Sequence, residues 1–197
     1  MQGNIAIAHT RWATHGKPTL VNAHPFVKEN CALVHNGIIE NQEELINIYS
    51  INRKNIQSET DTEVIAEIYN KLLHNYNNPI EALTNMMSKI EGTFAFAFLV
   101  KGTQSIYAAR KCSPLVIGLS EQCNALSSDV LGLPEETKEI LFLEENDIVE
   151  INNSSFSIFN LKGDKIKREK HPHITKKEFV TKGNYKHFMQ KEIYHQP

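Results

Sequence analysis

Much of what would assign a protein to a class at sight is missing from this 197-residue chain. No apolar run approaches the length of a membrane span. The first residues, Met1-Gln2-Gly3-Asn4, lack the basic-then-apolar layout of a secretion signal. Cysteine is scarce: Cys31, Cys112 and Cys123 form neither a paired nor a metal-like spacing. An odd count without a leader points to a reducing, cytoplasmic compartment. Charge of one sign is missing too. Lys and Arg number 21 against 23 Asp and Glu, a net charge of −2, which argues against nucleic acid or an anionic membrane as partner. The Lys-rich tail over 162–186 is interspersed with Asp, Glu and His and reads as a solvated linker face. No P-loop, dinucleotide fingerprint or hydrolase elbow occurs, so no nucleotide cofactor is implied. Internal repeats and low-complexity segments are absent.

What is present suffices for a packed core. Apolar residues make up 41% of the chain and charged ones 22%, in a length that suits one fairly large domain or two small ones. Residues 4–12 begin as a strand, because Ile5 and Ile7 alternate with small residues. Residues 31–35 read as a buried strand that Asn36-Gly37 breaks, and on local grounds that dipeptide is a turn. Asn41-Gln42-Glu43-Glu44 is a plausible capping box for a helix that buries Leu45, Ile46 and Tyr49. A second helix carries Val64, Ile65, Ile68 and Leu72 at helical spacing. Asn78-Pro79 opens a third, with Ile80, Leu83, Met87 and Ile90 on one side. Beyond Gly92 the period changes to two over residues 94–98. Short strands follow at 105–109, 115–119, 124–127, 140–143, 148–151 and 155–159, and 185–194 looks helical. This order predicts an α+β fold with helices layered on antiparallel sheets.

Four features carry candidate chemistry. Residues 9–16, His-Thr-Arg-Trp-Ala-Thr-His-Gly, put a guanidinium, an indole, a hydroxyl and two imidazoles ahead of a glycine. A core strand has no use for that set, whereas a loop that grips a small zwitterion does. Arg11 can hold a carboxylate bidentately. Asn36-Gly37 is the second feature. Asp61, in Ser58-Glu59-Thr60-Asp61-Thr62-Glu63, is the third; by itself it reads as an N-cap, and its functional alternative is a carboxylate for an ammonium group. The fourth is the set His9, His15, His24 and His35. Its spacings of 6, 9 and 11 residues match no metal pattern, so hydrogen-bonded structural histidines are expected and no metal. None of the cysteines has an adjacent base or helix N-terminus that would make it a nucleophile.

Taken together and in order, residues 9–16, Asn22-Ala23-His24-Pro25, residues 35–41 (His-Asn-Gly-Ile-Ile-Glu-Asn), residues 58–63, Ser113-Pro114-Leu115-Val116-Ile117-Gly118, Phe142-Leu143-Glu144-Glu145 and residues 189–194 (Met-Gln-Lys-Glu-Ile-Tyr) strongly resemble the glutaminase domains of the glutamine–fructose-6-phosphate aminotransferase family. These are class II, N-terminal nucleophile amidotransferases. The resemblance implies a four-layer αββα sandwich of the N-terminal nucleophile hydrolase type. It implies that Arg11 holds the glutamine α-carboxylate and Asp61 its α-ammonium. Trp12, Thr14 and His15 then belong to a loop closing over glutamine, and Asn36 (side-chain amide) and Gly37 (backbone N–H) form an oxyanion hole. L-Glutamine is the implied partner here. Fructose 6-phosphate and a homodimer partner would be met by sugar-isomerase domains beyond this chain.

The family's nucleophile is a cysteine at residue one, with its own α-amino group as base, followed by Gly-Ile-Val-Gly. This chain begins differently. The expectation is a domain over 1–161 truncated ahead of the glutamine loop, missing its first strands and its nucleophile, and inactive alone. Residues 162–197 would be a basic linker and terminal helix. Two alternatives stay open: a non-catalytic glutamine-binding or regulatory module, and another class II amidotransferase, against which Trp12, Asn41 and residues 189–194 argue.

Overall fold

The computed structural model describes residues 3–11, 16–173 and 182–195. Two antiparallel sheets stack face to face. The larger has the order β1 (Phe26–Val27), β2 (Cys31–Ile39), β3 (Gly92–Val100), β4 (Ile106–Lys111), β8 (Ile148–Ile151), β9 (Phe156–Phe159) and β10 (Lys165–Ile166). The smaller has the order β11 (His171–Pro172), β7 (Glu139–Phe142), β5 (Val116–Leu119) and β6 (Asn124–Ser127). Three helices, α1 (Gln42–Ile48), α2 (Asp61–Asn75) and α3 (Pro79–Met87), cover the outer face of the larger sheet, and α4 (Phe188–His195) lies near the end of the chain.

The alternation in β3 sorts its side chains between two cores. Phe94, Phe96 and Phe98 are fully buried and pack with Ile65, Ile68, Tyr69, Leu83 and Met86 of the helices. Ala95, on the opposite face, joins Ile117 and Leu141 of the smaller sheet in a second core. Period-two patterning against helices on one side and a sheet on the other gives the observed layers. Over the outer face of the smaller sheet, Leu133 and a single 3-10 turn (Val130–Gly132) cover Val116 and Ile140. Among the described residues, no helix is long and apolar enough to cross a membrane.

Several local expectations change. Residues 4–8 carry no ladder, although Ile5, Ile7, His9 and Arg11 alternate half-buried with exposed neighbours. The period is that of a strand, but among the described residues no strand pairs with them. Asn41 does not close a capping box on α1. Its side chain instead donates to Lys89 O and accepts from Glu91 N, each at 2.9 Å, tying the start of α1 to the α3–β3 connection. Asn78 does cap α3, accepting from Ile80 N with Pro79 in the first turn. The basic segment after residue 161 supplies an edge strand to each sheet, β10 on β9 and β11 on β7. Arg168, between them, donates twice to the buried Asp147 at 2.8 and 2.9 Å. A buried carboxylate needs that partner, which draws the segment onto the sandwich.

The largest revision concerns Asn36-Gly37. The dipeptide does not turn. β2 runs through it unbroken, with Asn36 opposite Ala95 and Gly37 opposite Phe94. Gly37 has φ +126°, and a Cβ there would stand 1.9 Å from Thr93 O; a Cβ on Gly92, φ +128°, would stand 2.2 Å from Ile38 O. The two strands approach so closely at this end that each needs a residue without a side chain. Gly92→Ala is therefore expected to lower the unfolding free energy by about 3 kcal/mol. Gly102→Ala, with φ +81° but open space around it, should lose only about 1 kcal/mol. Urea titrations of the two variants give the comparison, and equal losses would refute the close-approach account.

Candidate functional site

The first turn of α2 organises the site. Thr60, Asp61, Thr62 and Glu63 are all buried, and each makes a different attachment. Thr60, not Asp61, occupies the N-cap position. Asp61 therefore does not cap its helix. Its Oδ2 accepts from Ile39 N at 2.7 Å, on a stretch of β2 that β1 does not pair, since β1 reaches only Ala32 and Leu33. The carboxylate of the third candidate feature is thereby joined to the end of the strand that carries the second, Asn36 and Gly37. Glu63 accepts from Gln57 N, Ser58 N and Lys28 Nζ. Burial pushes its carboxyl up, but Lys28 and the two N–H groups outweigh that and hold it below the usual range.

Glu59, just before this turn, anchors the loop that follows Arg11. Its N–H donates to the Oδ1 of the buried Asn22 at 3.0 Å, and its carboxylate accepts from Asn22 Nδ2 and Lys17 N. Arg11 donates to Lys17 O at 3.0 Å and Gly16 O at 3.3 Å. Two carbonyls on a loop rooted in Asn22 and Glu59 thus set where the guanidinium stands. Trp12, Thr14 and His15 lie outside the described residues.

Three of the four early histidines come together. His9 Nε2 is 2.7 Å from Asn36 Oδ1, and His9 Nδ1 is 2.9 Å from His24 Nδ1. His24 Nε2 is 3.1 Å from Thr62 Oγ1, and His35 Nδ1 reaches the same hydroxyl at 2.9 Å. The three imidazoles form a line of pairwise contacts with no convergent face. Among the described residues no group of three His, Cys, Asp or Glu is placed to hold a metal ion. Burial pushes the His35 pKa down to about 3, with His9 adding to the effect. Burial does the same for His24, also to about 3; His9, His35 and Arg11 lower it further, against an opposing pull from Asp61. Arg11, Asp61 and the imidazoles therefore lie within electrostatic reach of one another around His24.

A cleft of about 800 Å³ opens between the sheets beside this cluster, lined by residues 4–10, His35, Asn36 and, across from them, residues 123–128. Asn36 is part of its wall; Arg11, Gly37 and Asp61 are not part of its lining. Asn22 and Thr62 are participants to which the residue-by-residue reading gave no role, and the pairing of His24 was not legible in it either. Their roles rest on contacts across 15 to 38 residues of sequence, which no local pattern encodes.

The depressed histidines make stability depend on pH. Both fold-state values lie below the ordinary 6.5, so the unfolded chain binds more protons beneath that pH. The contribution is complete above about pH 6.5 and is lost as pH falls toward 3. Each histidine adds a slope of up to about 1.4 kcal/mol per pH unit, less for the half-exposed His24. The urea midpoint should drop between pH 6.5 and 5, before carboxylates titrate, and His24→Gln should flatten that drop. An unchanged slope would refute neutral burial of His24.

Comparison with known proteins gives a consistent picture. A sequence profile described as a glutamine amidotransferase domain matches residues 9–134. The chain is 41% identical to the glutamine–fructose-6-phosphate aminotransferase (isomerizing) of Bradyrhizobium diazoefficiens, over all of this chain and 33% of that protein. It is 43% identical to the protein of the same name from Escherichia coli K12, covering 32% of it, and 42% identical to that from Haemophilus influenzae, again covering 32%. The chain thus spans about a third of the length of these relatives. Among solved structures it resembles glutamine phosphoribosylpyrophosphate amidotransferase from B. subtilis, with TM-score 0.62 and 21% identity over 80% of this chain and 35% of that one. An allosteric regulatory enzyme of purine biosynthesis gives the same TM-score over 78% of this chain and 34% of that one. At that identity the structural likeness establishes the fold alone, an α+β arrangement of helices on stacked antiparallel sheets, and the sequence match establishes the family: the chain belongs to the glutamine amidotransferase domain family.

Proposed function

We propose that this chain is the glutamine-holding part of an aminotransferase that supplies ammonia from L-glutamine to fructose 6-phosphate in hexosamine synthesis. Identity above 40% to relatives of that name, over the whole chain, is the observation that carries the reading. Fructose 6-phosphate and a homodimer partner belong, in this proposal, to the parts of those relatives that the chain does not cover.

The site residues take these roles. Arg11, aimed by the Gly16 and Lys17 carbonyls, pairs with the α-carboxylate of glutamine. Asp61 receives the α-ammonium. Trp12, Thr14 and His15 close over the bound amino acid. The Asn36 amide, in the cleft wall, and the Gly37 N–H bind the amide oxygen. Donors placed where negative charge develops lower an acyl-transfer barrier by about 3 kcal/mol each.

Within these residues the nucleophile is not found among the cysteines. Cys31 is buried, its thiol donates to Ala66 O, and burial pushes its pKa up to about 12. Cys112 is exposed beside the Glu145 carboxylate. Cys123 lines the cleft, but its sulfur meets the Ser120 hydroxyl, not a base. A thiol held protonated by burial, as at Cys31, does not attack. The chain is accordingly expected to bind glutamine and leave it intact.

Calorimetry of the 197-residue chain tests the binding half: saturable L-glutamine binding, weakened at least about tenfold by Arg11→Ala, supports the reading, and no binding refutes it. Ammonia release tests the other half. Turnover abolished by Cys31→Ala or Cys123→Ala would overturn the expectation of an intact ligand.

A further inference from the structure

The line of hydrogen bonds from Asn36 to His35 takes its direction from the Asn36 end, and the His35 end is compatible with it. At one end Asn36 Oδ1 stands 2.7 Å from His9 Nε2. A carbonyl oxygen only accepts, so His9 carries its proton on Nε2. Neutral His9 then presents a bare Nδ1, and His24 must donate to it from Nδ1 across 2.9 Å. His24 Nε2 is left bare and accepts from the Thr62 hydroxyl at 3.1 Å. That hydroxyl has one proton; its other acceptor, Asp61 Oδ1, is farther away at 3.4 Å. His35 Nδ1 therefore donates to Thr62 Oγ1 at 2.9 Å, and His35 Nε2 bears no proton.

The far end agrees. His35 Nε2 is, among the described residues, the buried side-chain polar atom with no partner. With Nε2 bare, no buried donor in the line is left without an acceptor. Turning the Asn36 amide over would reverse the bonds as far as Thr62, whose hydroxyl would then accept from both rings and donate to Asp61 Oδ1 across the longest contact of the set, 3.4 Å. The direction set by Asn36 Oδ1 keeps that proton on the shorter contact to His24 Nε2.

We infer that His9 is a positioning residue: its Nε2–H holds Asn36 Oδ1, which turns the two Nδ2 N–H donors of Asn36 toward the cleft, and the His24–Thr62–His35 line keeps His9 in the tautomer that does so. The inference rests on the reading of Asn36 as a donor to the glutamine amide oxygen. It gives an exposed amide on β2 a single orientation. A side-chain amide that rotates freely presents donor and acceptor equally, and an acceptor facing a carbonyl oxygen repels it.

Two measurements on the 197-residue chain test it. Long-range proton–nitrogen correlation spectra of the imidazoles should show His9 as the Nε2–H tautomer and His24 and His35 as Nδ1–H tautomers. His9 as Nδ1–H overturns the inference whatever glutamine does. Calorimetry then compares L-glutamine with L-2-aminopentanoic acid, which keeps the α-carboxylate and α-ammonium but lacks the side-chain amide. His9→Ala should reduce the preference for glutamine about tenfold and leave affinity for the analogue in place. His9→Gln, whose amide N–H can replace Nε2–H, should restore the preference. A purely structural role would weaken both ligands together and refute the positioning role, as would an unchanged preference in His9→Ala. If the wild-type chain binds neither ligand, the glutamine reading falls, and the tautomers alone decide whether His9 orients Asn36.

Discussion

The bond between the Asp61 carboxylate and the Ile39 N–H, 2.7 Å long and buried, is the constraint on which the site depends. It pins the first turn of α2 to the end of β2. With that turn in place, Thr62 receives His24 and His35, Glu63 collects Lys28 and two loop N–H groups, and Glu59 grips Asn22 and Lys17. Each attachment uses a polar group whose burial would be unfavourable without its partner. The loop that carries Arg11 and the strand that carries Asn36 are therefore positioned by one short segment of helix. A substitution in residues 59–63 would act on the whole site at once, because these contacts share partners and are not additive.

The second constraint is steric. β2 and β3 converge at Gly37 and Gly92, where neither strand has room for a Cβ. This convergence keeps Asn36 inside a regular ladder, opposite Ala95. A donor on a strand is held more precisely than one on a loop. The small residue across from it leaves space at the cleft wall for a ligand group to approach the amide.

Histidine is used here for geometry more than for charge. His24 and His35 are held neutral by burial, and a neutral ring is a donor at one nitrogen and an acceptor at the other. Linking such rings in series transmits a direction from one end of the line to the other. In this chain the direction ends at Asn36, in the wall of the cleft.

The element types were legible in the residues. The period of two over 94–98, the helical spacing of Val64, Ile65, Ile68 and Leu72, and the Asn78-Pro79 start all describe what the backbone does, because local sterics and side-chain periodicity act within a few residues. The family was legible as well, from motifs in a fixed order. The Asn36-Gly37 turn was not, since a dipeptide that favours tight turning locally is the one tolerated where two strands touch. The cap at Asp61 and the capping box at Asn41 were misassigned for a related reason: each side chain found a better partner in a distant segment, at Ile39, Lys89 or Glu91. What the sequence alone determined was the inventory, the periods and the family. Which histidines meet, what Asp61 holds and which way Asn36 faces were decided by tertiary structure, because those bonds span 15 to 38 residues and exist only once the helix has docked on the sheet.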